Sequence, residues 1–496
     1  MQLREQAGIV CVALSGPQML ADATGSDHNF FEFRLDSLPE PAAFPAELQS
    51  FFAARPRVTT IATCRRTAFG GNFPGTAEEQ LDLLTEAATA GCRLVDIEVE
   101  TAEELGTAAM ERLRAVGAVV ILSWHDFQGT PELLPVYERL QAFTPDFIKI
   151  VPTARTLTDS LLLLDLLETR SADGRLIAMS MGQKGVLTRV LGPRFGSAFT
   201  FAAPDGGDGT APGQVPLSTL RDLYRVDRIT ATTALYAVAG DPIGASLSPR
   251  MHNTAFRAAG LDAAYLPLET ADPQELRLVM DRLDLRGLSI TMPLKEFVVP
   301  LLTTRSTSVE QMGACNTLLR GENGSLHGDN TDVAGIIDPL EQRATLAEKR
   351  VLVLGAGGAA RAAVFGLRGH GAEVFVLNRT ESRARDLAAE AGAHVQARET
   401  LAATRFDIII NSTPYGMRGK DIQPPITPNE MNCDLFFDLV YNPVETPLLR
   451  IAEQRGIPVI PGVAMFVAQG MAQFRLWTGT PAPHGAMRQA VLDALS

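Results

Sequence analysis

Short apolar runs of β type alternate with segments of helical spacing through the first half of the chain. The runs are GIVCVAL (8–14), FFEFRLD (30–36), RVTTIATCR (57–65), CRLVDIEVE (92–100), GAVVILSWHD (117–126), DFIKIVP (146–152), RLIAMSM (175–181) and SAFTFA (197–202). Eight such β/α units within residues 1–230 are typical of a compact (β/α)8 barrel rather than of an open sheet.

A second α/β region begins after the Gly/Pro-rich stretch 206–217, where the new strand pattern ALYAVAGDPIG starts. Its clearest unit, 349–380, reads as strand, glycine turn, helix and strand, about the length of one βαβ unit. We therefore predict an α/β protein with a barrel at 1–230 and a second half made of two subdomains. An α/β subdomain covers 231–345 and is completed by 461–496, and a Rossmann dinucleotide-binding subdomain covers 346–460.

Composition and charge exclude several classes of protein. The net charge of -13 argues against a nucleic-acid partner. The N-terminus lacks a signal-peptide layout and no apolar run approaches transmembrane length, so we expect no membrane partner. The five cysteines lie far apart and form no C-x-x-C motif, which predicts neither a disulfide framework nor a metal site. We expect a cytoplasmic protein that acts on small molecules, with its oligomeric state left open.

Polar and charged residues stand at the carboxyl ends of the predicted barrel strands, where chemistry gathers in this fold. They are Glu32, Arg34, Arg65, Asp96, Glu98, His125, Lys149 and Ser180. Two interpretations of Lys149 are open, because a bare buried ammonium is expensive. The lysine is neutralised by a neighbouring carboxylate, or it is a desolvated amine of lowered pKa that attacks a ketone and forms an imine. In the second case His125, one strand earlier, is placed to act as general acid/base.

The first half resembles the type I 3-dehydroquinate dehydratases. The motifs that carry the resemblance, in order across 8–225, are EFR (32–34), CRRTAFGG (64–71), WHDFQGTP (124–131), FIKI (147–150), SMGQKGVLTR (180–189) and FGSAFTFAAPDGGDGTAPGQ (195–214). The resemblance implies that Lys149 forms the Schiff base, that His125 is the general acid/base and that Arg189 binds the substrate carboxylate. It further implies that the substrate hydroxyls are bound, or the site is ordered, by Glu32, Arg34, Arg65, Thr210 and Gln214.

One position departs from the family pattern. Phe69 stands where the family usually has a glutamate that orients the catalytic histidine. We predict that Asp96 or Glu98 assumes this role.

The second half carries a dinucleotide fingerprint, GAGGAARA (355–362), directly after a strand pattern. Gly355, Gly357 and Gly358 let the backbone approach a pyrophosphate at a helix N-terminus. The next strand ends in Asn378-Arg379-Thr380, and a cation at this position suits a 2′-phosphate, whereas an acidic residue would bind the ribose of NAD. The sequence therefore predicts NADP as the cofactor.

Further upstream, Ser246 and Ser248 precede a predicted helix, where hydroxyls cap the helix or hold a ligand carboxylate. Lys295 follows a strand, and Asp332 stands at a predicted helix start. Taken singly they are a surface lysine and an N-cap, but in the cleft of an NADP enzyme they form a proton relay.

Residues 235–496 resemble the shikimate dehydrogenases. The motifs, in order, are GDPIGASLSP (240–249), SITMPLKE (289–296), GACNT (313–317), GDNTD (328–332), GAGGAARA, NRT (378–380), NSTPYGM (411–417), DLVYNPVETPLL (438–449) and PGVAMFVAQG (461–470). The resemblance implies that Lys295 and Asp332 are catalytic and that Gly462 lies by the nicotinamide. The implied shikimate contacts are Ser246, Ser248, Thr291, Asn316, Tyr441 and Gln469, and the NADP phosphate falls to Asn378, Arg379 and Thr380.

The two resemblances fit each other, because the first reaction makes 3-dehydroshikimate and the second reduces it with NADPH. The whole chain thus resembles fused dehydratase–dehydrogenases. Two alternatives stay open: a quinate/shikimate dehydrogenase with an impaired dehydratase domain, which Phe69 favours, and a non-catalytic quinate sensor. Lys149, His125, Lys295 and Asp332 are all present, which argues against a sensor.

Overall fold

The computed structural model describes residues 8–207 and 209–496, and these form two units. The first unit extends to Thr233 and includes Pro267–Thr270 and Arg277–Arg282, and the second contains the remainder from Ala234 to Ser496. The predicted domain boundary at 230 lies three residues from the end of the main segment of the first unit. The finer boundaries within the second half stay predictions.

Eight parallel strands form the sheet of the first unit, in the order β7-β6-β5-β4-β3-β2-β1-β8. β8 pairs with β1, and the amide of Ala198 donates to the carbonyl of Leu176 in β7 (2.8 Å), which links the two edges. The predicted (β/α)8 barrel is therefore confirmed. The strands are Val10–Ser15 (β1), Phe30–Arg34 (β2), Thr59–Thr63 (β3), Leu94–Glu98 (β4), Val119–His125 (β5), Phe147–Val151 (β6), Leu176–Ala178 (β7) and Thr200–Ala202 (β8).

Two of the helices on the outside of the barrel begin at capping signals in the sequence. Thr76 and Thr156 each accept a hydrogen bond from the backbone three residues later and form capping boxes with Glu79 and Asp159. The barrel interior is filled by apolar side chains from successive strands, including Cys11, Phe30, Ile61, Leu94 and Ile121. The helices are Met19–Gly25 (α1), Phe44–Ala54 (α2), Ala77–Thr89 (α3), Val99–Leu105 (α4), Thr107–Ala115 (α5), Leu133–Gln141 (α6), Leu157–Arg170 (α7) and Val186–Leu191 (α8), followed by a π-helix at Thr219–Tyr224.

A mixed six-stranded sheet, in the order β10-β9-β11-β13-β14-β12, opens the second half, and β13 is antiparallel to both its neighbours. Its strands are Ala234–Gly240 (β9), Ala263–Glu269 (β10), Gly287–Ile290 (β11), Thr304–Arg305 (β12), Thr317–Arg320 (β13) and Leu326–Asp329 (β14). The associated helices are Ser248–Ala258 (α9), Pro273–Leu283 (α10), Leu294–Phe297 (α11), Thr307–Met312 (α12) and Asp332–Glu341 (α13).

A third sheet is fully parallel, with the order β17-β16-β15-β18-β19-β20 of a Rossmann fold. Its strands are Arg350–Leu354 (β15), Glu373–Leu377 (β16), His394–Val395 (β17), Phe406–Asn411 (β18), Cys433–Asp438 (β19) and Val459–Ile460 (β20), with helices Gly358–Gly369 (α14), Glu381–Ala391 (α15) and Pro447–Gln454 (α16). The predicted Rossmann fold is confirmed.

The last two helices, Gly462–Thr478 (α17) and His484–Leu495 (α18), return to the mixed sheet, where the indole of Trp477 donates to the carbonyl of Leu318 (2.9 Å). Across the part of the chain that the structure describes, we find no helix with the length and apolarity needed to span a bilayer.

Candidate active sites

One cavity of about 50 Å³ at the carboxyl ends of the barrel strands brings together all eight barrel residues predicted to bind or react. Apolar side chains of Val151, Met179, Met181 and Phe201 complete its wall. These residues come from distant points of the chain, and the parallel barrel places them at one face. The eight are Glu32, Arg34, Arg65, His125, Lys149, Arg189, Thr210 and Gln214.

Lys149 projects from β6 into this cavity and is almost fully buried. Its Nζ lies 2.7 Å from Oδ2 of Asp96 and 3.3 Å from Oε1 of Glu32. It also lies 4.2 Å from the centroid of the Phe201 ring, in cation–π contact. The structure thus shows the neighbouring carboxylates of the first interpretation, and the role of Lys149 as an imine-forming amine stays a prediction.

The carboxylates around Lys149 are themselves held in place by hydroxyls. Ser123 donates to Oδ1 of Asp96 (2.6 Å), and Thr63 donates to Oε1 of Glu32 (2.8 Å). Burial alone would raise the pKa of Asp96, but the positive charges of Lys149 and Arg65 outweigh it and hold this pKa below its ordinary value. Asp96 is therefore a buried anion in the free protein.

His125 ends β5, and its ring lies nearly parallel to that of Phe127, with an interplanar angle of 20° and centroids 6.4 Å apart. Desolvation, together with the positive charges of Arg65, Lys149 and Arg34, holds the pKa of His125 well below its ordinary value. The imidazole is therefore neutral near pH 7 and suited to accept a proton.

The structure does not show the predicted replacement for the missing glutamate as a direct contact. Asp96 is engaged by Lys149 and Ser123, while Glu98 accepts hydrogen bonds from the amide of Gln80 and from the backbone N–H of Arg66 (3.0 Å). Within 8–207 and 209–496, neither carboxylate forms a hydrogen bond with His125. The expectation of a direct contact is thus corrected, because the oxygens of both carboxylates are turned toward the donors named here.

Glu98 nevertheless shares a cavity with the histidine. Together with Phe69 and His125 it lines a second cavity of about 300 Å³ at the rim of the barrel. Burial raises the pKa of Glu98 above its ordinary value, against the opposing effect of Arg65. Glu98 and His125 therefore border the same space without a hydrogen bond between them among the described residues.

Arg189 and Arg34 differ in how their charges are balanced. Arg34 forms a bidentate pair with Asp36, at 2.9 Å and 2.8 Å, so its charge is already neutralised. Arg189 is 1% exposed, contacts Sδ of Met179 (3.5 Å) through Nη1, and has no hydrogen-bond partner at Nε among the described residues. Burial lowers the pKa of Arg189 to about 10, so the group stays charged near neutral pH. A buried cation of this kind suits an anionic ligand.

Thr210 and Gln214 belong to the loop after β8. The backbone N–H of Thr210 donates to Oε1 of Gln214 (2.6 Å), and its hydroxyl lies 3.3 Å from the same oxygen. This contact keeps both side chains at the cavity wall.

In the second half, the structure brings three predicted residues into direct contact. Nζ of Lys295 lies 2.6 Å from Oδ2 of Asp332, the first residue of α13, and Nδ2 of Asn316 donates to Oδ1 of the same carboxylate (2.8 Å). The sequence analysis did not find the residues that hold Asn316. Its Oδ1 accepts from the hydroxyl of Thr317 (2.7 Å) and the backbone N–H of Thr331 (2.7 Å).

The other predicted substrate contacts have local partners. The backbone N–H of Ser248 donates to the hydroxyl of Ser246 (3.3 Å) at the start of α9. Tyr441 stacks on Phe466, with centroids 4.6 Å apart, and Gln469 donates to the carbonyl of Phe466 (2.8 Å). Thr291 follows β11, and its carbonyl accepts from the backbone N–H of Leu294 (2.9 Å). Their roles as substrate contacts stay predictions.

The glycine turn after β15 leaves space at a helix N-terminus. Gly355 has φ of 114°, which favours glycine, and a Cβ there would lie 2.7 Å from the Ser412 hydroxyl. A Cβ on Gly357 or Gly358, at the start of α14, would meet no atom within 4 Å. The space fits a phosphate-bearing ligand at this helix start.

After β16, Asn378 donates to the carbonyl of Thr380 (2.9 Å) and so shapes the turn. The side chain of Arg379 is exposed, and no carboxylate of the described residues pairs with it. A free guanidinium beside the glycine turn matches the predicted phosphate contact. Gly462 begins α17, where a Cβ would lie 2.3 Å from the carbonyl oxygen of Val440, so the position excludes a side chain.

Several residues that order the two sites were missed from the sequence. Ser123 and Thr63 stand two positions before His125 and Arg65, and the two-residue period of a strand puts each pair on the same face. That spacing could have identified them. Asp36 and Thr317 carried no such signal, because their role depends on which side chain lies opposite.

Comparisons with known proteins cover nearly the whole chain. The type I 3-dehydroquinase model matches residues 10–231 and the shikimate dehydrogenase substrate-binding domain matches 238–318. The shikimate/quinate 5-dehydrogenase model matches 340–439, and the shikimate 5′-dehydrogenase C-terminal domain matches 462–492.

Individual relatives match the whole chain or its second half. A chloroplastic bifunctional 3-dehydroquinate dehydratase/shikimate dehydrogenase of Arabidopsis thaliana is 32% identical over 479 residues, which cover 91% of this chain and 78% of that protein. A shikimate dehydrogenase (NADP⁺) of Maridesulfovibrio salexigens is 40% identical over 267 residues, which cover 53% of this chain and 97% of the relative. A solved shikimate dehydrogenase in complex with NADP⁺ superposes with a TM-score of 0.51 at 31% identity and covers 54% of this chain and 98% of its own.

Proposed function

The chain belongs to the family of bifunctional 3-dehydroquinate dehydratase/shikimate dehydrogenases, and on this basis we propose the reaction that each of its two sites catalyses. The barrel dehydrates 3-dehydroquinate to 3-dehydroshikimate, and the second half reduces 3-dehydroshikimate to shikimate with NADPH. The observation that carries the proposal is the barrel cavity, in which the unpaired cation Arg189 faces the same space as the Lys149 amine and the neutral His125.

In the dehydratase site, Arg189 binds the substrate carboxylate with its planar fork. The proton on Lys149 leaves first, and Oδ2 of Asp96 is the nearest acceptor among the described residues. The amine then attacks the substrate ketone, forms the C–N bond and expels the carbonyl oxygen as water, which leaves an imine.

The imine acidifies the adjacent carbon, because it accepts the electron pair released when a proton is removed. His125 takes this proton and then returns it to the departing hydroxyl, which leaves as a second water molecule. Hydrolysis of the imine frees 3-dehydroshikimate and regenerates Lys149. Two water molecules leave and one is consumed in the hydrolysis, so the overall reaction loses one water molecule.

In the dehydrogenase site, Lys295 gives a proton to the substrate oxygen as the ketone becomes a hydroxyl, and Asp332 keeps the ammonium in position. Asn316 has one N–H on Asp332 and a second N–H that can reach a neighbouring substrate hydroxyl. When bound, NADPH supplies the reducing equivalent. The start of α14 holds the pyrophosphate, and Arg379 holds the 2′-phosphate.

The dehydratase proposal is tested by trapping. Borohydride added with 3-dehydroquinate should reduce the imine and leave a stable adduct on Lys149, detected by peptide mass, while Lys149→Met should stay unmodified. An unmodified wild-type protein would overturn the proposal. It would instead favour the second candidate, a quinate/shikimate dehydrogenase with an impaired barrel, for which the only support is Phe69.

The dehydrogenase substrate is tested separately. NADP⁺ reduction should be faster with shikimate than with quinate, since the Ser-x-Ser and threonine positions of the shikimate pattern are retained at Ser246, Ser248 and Thr291. A clear preference for quinate would contradict this assignment.

We also infer a cytoplasmic location. The five cysteines are free thiols and four of them are buried, as is usual in a reducing compartment. Cell fractionation should recover both activities with cytoplasmic markers, and activity confined to another compartment would contradict the inference.

A further inference from the structure

Gln473, on α17, lies at the centre of a buried hydrogen-bond path in the dehydrogenase half. Its side chain is 1% exposed. Its Oε1 accepts from the hydroxyl of Ser289 (2.8 Å) and lies 3.3 Å from Nε2 of His252, and its Nε2 lies 3.1 Å from the hydroxyl of Thr317 and 3.4 Å from the carbonyl of Asn316. The amide therefore uses its full set of donors and acceptors.

One branch of the path leads from Gln473 to the Lys295–Asp332 pair. The hydroxyl of Thr317 receives an N–H from Gln473, so its own hydrogen is directed to Oδ1 of Asn316 (2.7 Å). Asn316 then presents Nδ2 to Asp332 (2.8 Å), whose other oxygen holds Lys295. Each donor in this branch points toward the catalytic carboxylate.

The other branch leads to the start of α9. The hydroxyl of Tyr265 donates to Ser289 (2.5 Å), and Ser289 donates to Gln473. Nε2 of His252, which lies 3.3 Å from Oε1 of Gln473, belongs to α9 and stands four residues after Ser248. The path thus ends on the helix whose first residue, Ser248, the proposed function places on the substrate carboxylate.

We propose that Gln473 is a positioning residue that fixes the Lys295–Asp332 pair relative to Ser248, and so sets the span between the carboxylate and the reacting oxygen of the substrate. A buried polar network holds a unique geometry when all its members are satisfied, and it loses that geometry when one member is removed. The inference rests on the proposed function, because that function assigns Ser248 to the substrate.

The decisive variant is Gln473→Met, which keeps the volume of the side chain and removes its hydrogen bonds. We expect kcat for 3-dehydroshikimate reduction to fall about tenfold or more, as for the loss of one to two buried hydrogen bonds. The pH profile of kcat/KM should also shift, because the Lys295–Asp332 pair loses its support. The dehydratase rate of the same chain measures the amount of folded barrel, and Gln489→Met, at an exposed position of α18, is the matched control.

A second variant separates positioning from folding. In Gln473→Glu, the protonated carboxyl supplies one acceptor to Ser289 and one donor to Thr317, whereas the carboxylate supplies no donor. Activity relative to wild type should therefore recover as the pH falls. A merely structural role would give a loss of folded protein without this recovery.

The outcomes are distinct. If wild type reduces 3-dehydroshikimate and Gln473→Met keeps its kcat, KM and pH profile per folded chain, the inference is overturned and the proposed function stands. If Gln473→Met does not fold, Ser289→Ala tests the same path, and an unchanged kcat in that variant overturns the inference. If wild type does not reduce 3-dehydroshikimate with NADPH, the proposed function fails and this inference fails with it.

Discussion

Nζ of Lys149 lies 2.7 Å from Oδ2 of Asp96, inside the barrel and away from solvent. The proposed function makes this lysine the nucleophile, and the structure places beside it a carboxylate that can accept a proton. The lysine in the apolar strand DFIKIVP is therefore accompanied by two carboxylates, those of Asp96 and Glu32.

Replacing Asp96 by Asn should slow imine formation at Lys149. The variant removes the nearest acceptor for the ammonium proton and leaves Glu32, at 3.3 Å, as the remaining anion. We expect the borohydride-trapping rate with 3-dehydroquinate to fall about tenfold or more, and stability to fall by about 3–5 kcal/mol, as for a broken buried pair. Asp82→Asn, at an exposed pair with Arg112, is the control. An unchanged trapping rate would remove Asp96 from the chemistry.

Variants at Glu98 and Phe69 test which group aligns His125 in the absence of the usual glutamate. Glu98→Gln should lower the dehydration kcat about tenfold, since a carboxylate across the shared cavity no longer supports the imidazolium that forms in the reaction. Adding Phe69→Glu to this variant should restore part of the rate by placing a carboxylate on the same cavity. The control is Glu104→Gln, which changes a largely exposed partner of Arg66. Full activity in Glu98→Gln would exclude this residue.

Arg189→Lys should weaken substrate binding in the barrel. The lysine keeps a positive charge but loses the two-point grip on a carboxylate. A hydrogen bond to a charged group contributes about 1.5–3 kcal/mol, so KM for 3-dehydroquinate should rise about tenfold to a hundredfold, measured by steady-state kinetics. Arg112→Lys, on the surface, should leave KM unchanged. Equal KM values in both variants would show that Arg189 does not hold the substrate.

Arg379→Ala should weaken the binding of the cofactor and leave the binding of the substrate unchanged. The exposed guanidinium has no carboxylate partner among the described residues, so its removal costs only what it gives to a ligand. We expect KM for NADP⁺ to rise about tenfold to a hundredfold while activity with NAD⁺ stays the same. Arg405→Ala, at an exposed pair with Asp434, is the control. A parallel loss with both cofactors would place Arg379 outside the 2′-phosphate site.

Asp438 links stability to pH in the second half. Burial raises the pKa of Asp438 to about 6 from its usual 3.8, although Asn411, Thr446 and the backbone N–H of Val440 donate to its carboxylate and oppose the rise. Because the folded pKa is the higher one, its stabilising effect is complete below pH 3.8 and is lost as the pH rises through about 6. The loss amounts to about 3 kcal/mol.

The test compares wild type with Asp438→Asn by chemical unfolding across this pH range. The variant lacks the titrating group, so its free energy of unfolding should rise relative to that of wild type between pH 4 and 7, by up to about 3 kcal/mol. A difference between the two proteins that does not vary with pH would show that Asp438 has an ordinary pKa.

Most of the fold could be predicted from the sequence because the patterns of apolar and turn residues that indicate it are local. All eight barrel strands were predicted, since each is a short apolar run bounded by turn residues, and the glycine turn after β15 identified the Rossmann fold. The eight predicted barrel residues line one cavity, because the carboxyl ends of parallel strands meet at one face, and their roles stay predictions.

What the sequence could not provide is the pairing of side chains across the sites. The Lys149–Asp96 pair joins positions 53 residues apart, and the hydrogen bond between Gln473 and Ser289 joins positions 184 apart. No spacing rule connects such positions, because their meeting depends on how whole strands and helices pack. For the same reason the expectation that Asp96 or Glu98 contacts His125 could be stated only as two options, and neither contact is made directly.

A single coupled assay tests the central claim, that one chain carries both reactions in sequence. The protein is mixed with 3-dehydroquinate and NADPH, and the loss of NADPH is followed in wild type, Lys149→Met and Lys295→Met. We expect wild type to oxidise one NADPH for each 3-dehydroquinate consumed. Lys149→Met should oxidise NADPH only when 3-dehydroshikimate is supplied, and Lys295→Met should consume 3-dehydroquinate without oxidising NADPH. NADPH loss from 3-dehydroquinate in the Lys149→Met protein, or none in wild type, would contradict the account.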